Sequence, residues 1–393
     1  VIRPSERLDR LPAYAVAELA VIKRRLLAEG RDLIDLGAGD ADFPPPPPAV
    51  RALGEAVRDP AMSRYAYQVG LRAFREAASR YLARRFGVEF DPGDEVLPLL
   101  GSKEGLAHLP LAFVNPGEAC VLPDPGYPAY LGGTVLAGAE PLLVQLRPDN
   151  GFLIELEDLP AKQLDRVRLA FLNYPNNPTT AVAPRDYLER TVRVCRERGI
   201  LLAYDNPYVE ITFDGYRAPS IFEIDGAREC ALEFHSVSKS FSMTGWRLAW
   251  AVGARDLLAP LQRLKTWTDT GVFLAVQQAG AAVLDRAEEL VRPLVDEMAA
   301  RRDVAMEALA EAGLTAERPR ATMYAWVALP GGTDARTFGR TLLEREAVVV
   351  LPGTGFGAGG EGFFRIALTV PAPRLREAIA RIGRVAAAFV ETA

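Results

Sequence analysis

Lys239 sits in the run Glu233-Phe-His-Ser-Val-Ser-Lys-Ser-Phe-Ser-Met-Thr-Gly-Trp-Arg247, flanked by hydroxyls and followed eight residues later by an arginine. Such a grouping suits an amine nucleophile beside an anion site. A lysine that forms a Schiff base must be partly deprotonated near neutral pH, which desolvation and nearby cationic groups achieve. Ser236, Ser238 and Arg247 can then hold a phosphate, the arginine through two parallel charge-assisted hydrogen bonds. Taken alone, the segment also reads as a surface lysine in a serine-rich loop.

A second segment, Ile200-Leu-Leu-Ala-Tyr-Asp-Asn-Pro-Tyr208, is an apolar strand that delivers Asp205 at its end and Tyr208 just beyond. Open α/β sheets place ligands at such strand ends. A carboxylate there pairs with a protonated pyridine nitrogen, and a tyrosine hydroxyl reaches the ring's phenolic oxygen. Upstream, Leu169-Ala-Phe-Leu-Asn-Tyr-Pro-Asn-Asn-Pro178 is another buried-type strand running into a proline-fixed turn, where Asn177 is a further donor to that oxygen. Singly, Asp205 reads as a helix cap and Asn177 as a turn residue. Together with Lys239 they form a constellation for pyridoxal 5'-phosphate.

With these pieces the chain resembles the fold type I pyridoxal phosphate aminotransferases, class I/II, over nearly its whole length. The resemblance is carried in order by Leu36-Gly-Ala-Gly-Asp-Ala-Asp-Phe43, Arg64-Tyr65 with Gly70, Leu99-Leu-Gly-Ser-Lys-Glu-Gly105, Asp124-Pro-Gly-Tyr127, Asn176-Asn-Pro-Thr179, Asp205 to Tyr208, the lysine run and Phe364-Arg365-Ile366. Gly-Ser-Lys-Glu-Gly, Pro-Asp-Pro-Gly-Tyr-Pro and Phe-His-Ser-Val-Ser-Lys are most similar to the LL-diaminopimelate aminotransferase branch.

The resemblance implies a role for each matching position. Lys239 would carry the cofactor and move the proton between the substrate α-carbon and the cofactor, Asp205 would keep the ring nitrogen protonated, and Tyr208 and Asn177 would hydrogen-bond the phenolate. Tyr127 would lie against the ring face. The turn Gly101-Ser-Lys-Glu-Gly105 opens a helix after a strand, so Ser102 and Lys103 would join Ser236, Ser238 and Arg247 in the phosphate cup. For Lys103 a solvated side chain beside backbone contacts is the open alternative. Arg365 would bind the substrate α-carboxylate as a fork, with the Gly39 amide and Asn177 completing the grip; a surface ion pair is its bland alternative. Tyr65 matches a position that reaches across a dimer interface to the neighbour's phosphate, or else is a core aromatic. The implied protein is a homodimer with shared active sites, acting on an amino acid and a 2-oxo acid.

Three departures touch the substrate rather than the cofactor. Gln68 and Val69 stand where the diaminopimelate branch carries a glutamate, Thr180 replaces a glycine, and Leu274 stands where a glutamine is common. The reading is a ping-pong transfer from an L-amino acid to 2-oxoglutarate or pyruvate, with diaminopimelate-type donors among the candidates. A pyridoxal phosphate lyase is the enzymatic alternative. A cofactor-binding regulator is the other, though no stretch of helix-turn-helix size precedes Ser5 or follows the final helix.

Gly355-Phe-Gly-Ala-Gly-Gly360 also fits a dinucleotide fingerprint after the strand-like Ala347 to Leu351. That fingerprint needs a helix to open at the glycines, whereas Glu361 to Leu368 reads as another strand, so a loop near Arg365 is expected instead.

These groups must be positioned by an α/β fold. The chain of 393 residues, 49% in the hydrophobic set, exceeds one simple core and favours a large domain with a smaller one. Apolar spacing predicts a helix over 13–29 and a short strand from Leu33 to Leu36. Pro44 to Pro48 predict an extended, stiff connector. Strands are then expected at Glu95 to Leu100, Ala119 to Leu122, Glu140 to Leu146, Arg168 to Asn173, Ile200 to Asp205 and Ala231 to Ser236, alternating with helices. That alternation argues for a mostly parallel sheet covered on both faces, which the resemblance makes seven-stranded. After the apolar stretch Ala275 to Leu290 a long charged helix begins, and Tyr324 to Leu329, Ala347 to Leu351 and Phe363 to Leu368 form a smaller sheet. The expected division is an arm over 1–44 packing on the small domain, a cofactor-binding domain over 45–290 and a small α/β domain over 291–393.

Net charge is −5 and no long basic block occurs, so nothing points to nucleic acid or an anionic membrane. Arginines interleaved with acids from Ala287 to Arg302 are expected on solvated helix faces. Cys120, Cys195 and Cys230 have no paired or metal-ligand spacing, a usage that fits the cytoplasm. With only two histidines, His108 and His235, a histidine metal site or a Ser-His-Asp hydrolase is not expected. The N-terminus offers no secretory core, and no run is long enough to span a bilayer.

Overall fold

The structure, a computed structural model, describes residues 2–11, 16–67 and 69–391. Its strands in chain order are β1 Ile34–Asp35, β2 Val96–Leu99, β3 Ala119–Asp124, β4 Glu140–Gln145, β5 Val167–Leu172, β6 Leu201–Asp205, β7 Ala231–Ser236, β8 Ala249–Gly253, β9 Tyr324–Ala328, β10 Val348–Val349, β11 Leu351–Pro352 and β12 Phe363–Ala367. Seven of them form one sheet in the order β2-β8-β7-β6-β5-β3-β4, in which β8 alone runs against its neighbours.

The central strands read as unbroken apolar runs because both faces are covered. Leu169, Phe171, Leu201, Ala203 and Phe234 join one core with Leu106 and Leu109 of the helix Ser102–Phe113. Their alternates Ala170, Leu172, Leu202 and Tyr204 join another with Leu188, Val192 and Cys195 of the helix Arg185–Arg198. The period-two pleat sorts each strand between two cores, and each fully buried Leu or Phe contributes about 1.5–3 kcal/mol. The parallel strands therefore end side by side, and β5, β6 and β7 deliver Asn173, Asp205 and Ser236 to one rim.

The second sheet, β11-β12-β9, is antiparallel, with Arg365 of β12 opposite Trp326 of β9 and Leu351 of β11. The strand expected over 347–351 is in fact split. Val348 and Val349 pair in parallel with Ile34 and Asp35, whereas Leu351 and Pro352 pair with Arg365 and Phe364. The N-terminal strand is thereby stitched beside the smaller sheet. The residues after β6, Tyr208, Ile211 and Phe213, pack in the core that holds Tyr324, Phe364 and Ile366.

Three further expectations need correction. β8 was not foreseen as a strand. Pro47 and Pro48 do not extend the connector but open the helix Pro47–Ala56, because the first turn needs no backbone N–H donor there. In the helix Ala287–Glu311, Arg301 and Arg302 are 4% and 2% exposed rather than solvated. Arg301 forks onto Asp42 at 2.7 and 3.0 Å, and Arg302 onto Asp214 at 2.6 and 3.0 Å, so each fixes a loop against the helix. The expected helix over 13–29 is seen as Val16–Ala28, with 12–15 outside the described residues. No helix among the described residues is long and apolar enough to cross a membrane.

Candidate active site

A cavity of about 510 Å³ opens where the ends of the large sheet face the smaller one. Lys239, Asp205, Tyr208, Asn177, Tyr127, Ser102, Lys103, Ser236, Ser238, Arg247, Gly39 and Arg365 all line it. Tyr65 does not; it is 70% exposed, beside Tyr67.

Asp205, at the end of β6, is 4% exposed, and its Oδ2 accepts a hydrogen bond from the Tyr130 hydroxyl at 2.6 Å. Burial pushes its carboxyl up to about 7, against the opposing pull of that hydroxyl. Its Oδ1 is buried with no partner among the described residues. A buried orphan carboxylate oxygen is costly, and it marks a place where a cationic N–H belongs. The protonated nitrogen of a pyridine ring meets that need, so the donor set fits pyridoxal phosphate.

Lys239 follows β7 by three residues, on the turn Val237–Ser240, and its ammonium donates to the Gly39 carbonyl across the cavity. Ser236 starts that turn by accepting from the Ser238 amide at 3.1 Å. Gly39 is there for space: a Cβ would lie 2.1 Å from the Tyr324 hydroxyl.

The phosphate end is built from the opening of the helix Ser102–Phe113. Gly101 has φ +80°, and a Cβ on it would stand 2.1 Å from Arg247 Nη2. Glycine thus supplies both the turn and room for the guanidinium. Arg247 is itself left-handed (φ 56°) and donates to Thr244 O at 2.8 Å and Leu100 O at 3.4 Å. Free amides at the start of a 12-residue helix beside an arginine suit a phosphate. Lys103 is exposed at the rim. Tyr127, half-buried, precedes the helix Pro128–Leu136 and meets the Tyr130 ring edge-on at 5.6 Å.

Arg365 enters from β12 and is 4% exposed. It donates from Nη1 to Asn177 Oδ1 at 2.6 Å and from Nη2 to Gly37 O at 2.8 Å, while Nε is buried without a partner among the described residues. Its guanidinium lies 3.9 Å from the Tyr324 ring centre, and the Tyr208 and Tyr324 hydroxyls are 3.1 Å apart. Burial works to raise Tyr324, but Arg365, Lys239 and the Tyr208 hydroxyl outweigh it and hold its phenol below the usual range. Tyr208, buried against Tyr324, is pushed well above it.

Tyr324, Asn173 and Tyr130 were missed as site residues. Asn173 donates to the Asp205 carbonyl at 2.7 Å and accepts from the Asn177 amide at 2.8 Å, tying β5 to β6. Tyr130 lies in the first turn of the helix Pro128–Leu136, three residues past Tyr127, the residue that caps it. Thr180, in the place of a glycine, keeps the left-handed backbone (φ 65°) at a cost of roughly 1–2 kcal/mol. Gln68 lies outside the described residues, and Val69 is 41% exposed.

The sequence model of the family Aminotransferase class I and II matches residues 31–382. The chain belongs to that family. It is 47% identical over 378 residues to an LL-diaminopimelate aminotransferase of Desulforudis audaxviator, covering 96% of each chain. A relative of the same name from Aquifex aeolicus is 43% identical over 378 residues, covering 96% of this chain and 98% of its own. Among solved structures, a probable N-succinyldiaminopimelate aminotransferase from Thermus thermophilus superposes with a TM-score of 0.90 at 39% identity, covering 94% of this chain and all of that one (100%). The protein is a pyridoxal phosphate-dependent aminotransferase of fold type I, and it works on amino acids and 2-oxo acids. None of these relatives is a lyase, the alternative weighed from the sequence.

Proposed function

We propose that the amino donor is LL-diaminopimelate and the acceptor 2-oxoglutarate or pyruvate. The observation that carries this reading is the 47% identity, across 96% of both chains, to a protein named for that reaction.

Pyridoxal phosphate, when bound, supplies an aldehyde for the amino group and a protonated ring that draws electrons from the α-carbon. The chain does the rest. Asp205 would hold the ring-nitrogen proton, a role supported by its buried Oδ1, which has no partner among the described residues. Tyr208 and Asn177 would donate to the phenolic oxygen, and Tyr127 would pack on the ring. Ser102, Lys103, Ser236, Ser238, Arg247 and the helix start would hold the phosphate. Lys239, which donates to the Gly39 carbonyl, would be released from it to hold the cofactor and would carry the proton to and from the substrate α-carbon. Arg365 receives the α-carboxylate, with the Gly39 amide and Asn177 beside it. Because amino and oxo acids share that carboxylate, one arginine serves both halves of a ping-pong cycle.

Two chains complete the site in this reading. Tyr65 is exposed and outside its own cavity, and Trp267 (84% exposed) and Phe273 (46%) add apolar surface for a partner. The cytoplasm is the proposed compartment, in keeping with three buried free cysteines. The test is a panel of amino donors against both oxo acids. Turnover of LL-diaminopimelate above the other donors is expected; no turnover of it, while another amino acid yields its oxo acid, overturns the substrate.

A further inference from the structure

The charged lining of the cavity leaves one pair without a task. Asp205, Lys239, Lys103 and Arg247 serve the cofactor end, and Arg365 serves the α-carboxylate. Lys23 and Asp35 also line the cavity, and the Lys23 ammonium donates to Asp35 Oδ2. Lys23 lies on the helix Val16–Ala28, one turn after Leu19 and Ala20, which line the same wall. Asp35 ends β1, where its Oδ1 accepts from the Gly37 amide at 2.8 Å and the Ala38 amide at 3.3 Å.

The pair stands a short step from the α-carboxylate grip. Gly37, whose carbonyl takes the Arg365 bond, is two residues from Asp35, so their α-carbons are at most about 7 Å apart. That bound keeps the pair within reach of a substrate whose second head group lies several carbons from the first. The pair also has bonding capacity left. A carboxylate offers about four acceptor sites and an ammonium three donors. Asp35 uses three, and Lys23 uses one among the described residues. The remainder, an acceptor beside two donors, complements a group carrying its own ammonium and carboxylate. Side-chain exposures of 37% and 24% leave both reachable. No acid stands at 68 or 69 to meet a distal ammonium.

We propose that the Lys23–Asp35 pair reads the far end of the donor, Lys23 binding the distal carboxylate and Asp35 the distal ammonium. This rests on the diaminopimelate reading and deepens it. A donor whose distal nitrogen is acylated has no charge for Asp35 and is selected against.

The test uses the holoenzyme with four donors: LL-2,6-diaminopimelate, L-2-aminopimelate without the distal amine, L-lysine without the distal carboxylate, and L-norleucine with neither. Lys23→Gln lowers the kcat/KM ratio of diaminopimelate to lysine by about 10- to 100-fold, the range of a charge-assisted bond. Asp35→Asn lowers the ratio of diaminopimelate to aminopimelate by a similar factor, and Lys23→Arg retains selectivity. A tether between helix and strand would instead move all four donors together, or none. That uniform result overturns the inference while leaving the substrate reading intact. Wild-type enzyme that does not prefer diaminopimelate to norleucine removes the substrate reading, and the inference with it.

Discussion

Replacing Arg365 by alanine should cost the enzyme its hold on the group common to every substrate. The guanidinium is 4% exposed, flanked by Tyr324 at 3.9 Å and Phe356 at 4.8 Å, and held by Asn177 and Gly37 with Nε left unpaired among the described residues. In so dry a setting a carboxylate gains two charge-assisted bonds of about 1.5–3 kcal/mol each. Their joint loss, about 3–6 kcal/mol, lowers kcat/KM by roughly 10²- to 10⁴-fold. The carboxylate is bound alike before and during reaction, so KM should rise more than kcat falls. The same loss should appear for amino donor and oxo acid. Steady-state kinetics of each half-reaction read it, with cofactor content measured alongside to separate poor loading from poor recognition. A loaded Arg365→Ala enzyme within about threefold of wild type, less than ~1 kcal/mol, refutes the assignment.

Burial lifts Asp205 from an ordinary 3.8 to about 7, so the cofactor-free fold keeps a proton there that the unfolded chain has released. Stability of the cofactor-free chain should therefore fall as pH rises from about 4 to about 7, by up to about 4 kcal/mol, and Asp205→Asn should flatten that slope in thermal melts across this range. Gly101→Ala forces a Cβ to 2.1 Å from Arg247 in a left-handed turn. The strain, roughly 1–2 kcal/mol, should raise the Kd for pyridoxal phosphate about tenfold while sparing pyridoxal, which lacks the phosphate; fluorescence titration of both checks it.

Much of the fold was legible because central parallel strands carry no alternation and end in chemistry, as Leu201–Asp205 does. β8 escaped notice because Ala249–Gly253 is a five-residue run close behind Arg247, separated from β7 only by the four-residue helix Val237–Ser240 and the short turn Thr244–Trp246. Its register with both β2 and β7 is a long-range pairing that local pattern does not announce. Charge pattern misled at Arg301 and Arg302, since the acids that draw them inward, Asp42 and Asp214, lie far away in sequence. In the site, residues within compact motifs could be named, whereas Tyr324 could not. It starts an ordinary apolar strand, and only packing sets its hydroxyl between Tyr208 and Gly39, beneath Arg365.

The central claim is that the cofactor is carried by the nitrogen of one side chain. Borohydride reduction of the holoenzyme, proteolysis and mass spectrometry should find the pyridoxyl group on Lys239 alone, and none in Lys239→Ala. A label on Lys103, Lys23 or any other lysine, or no covalent label at all, contradicts the account.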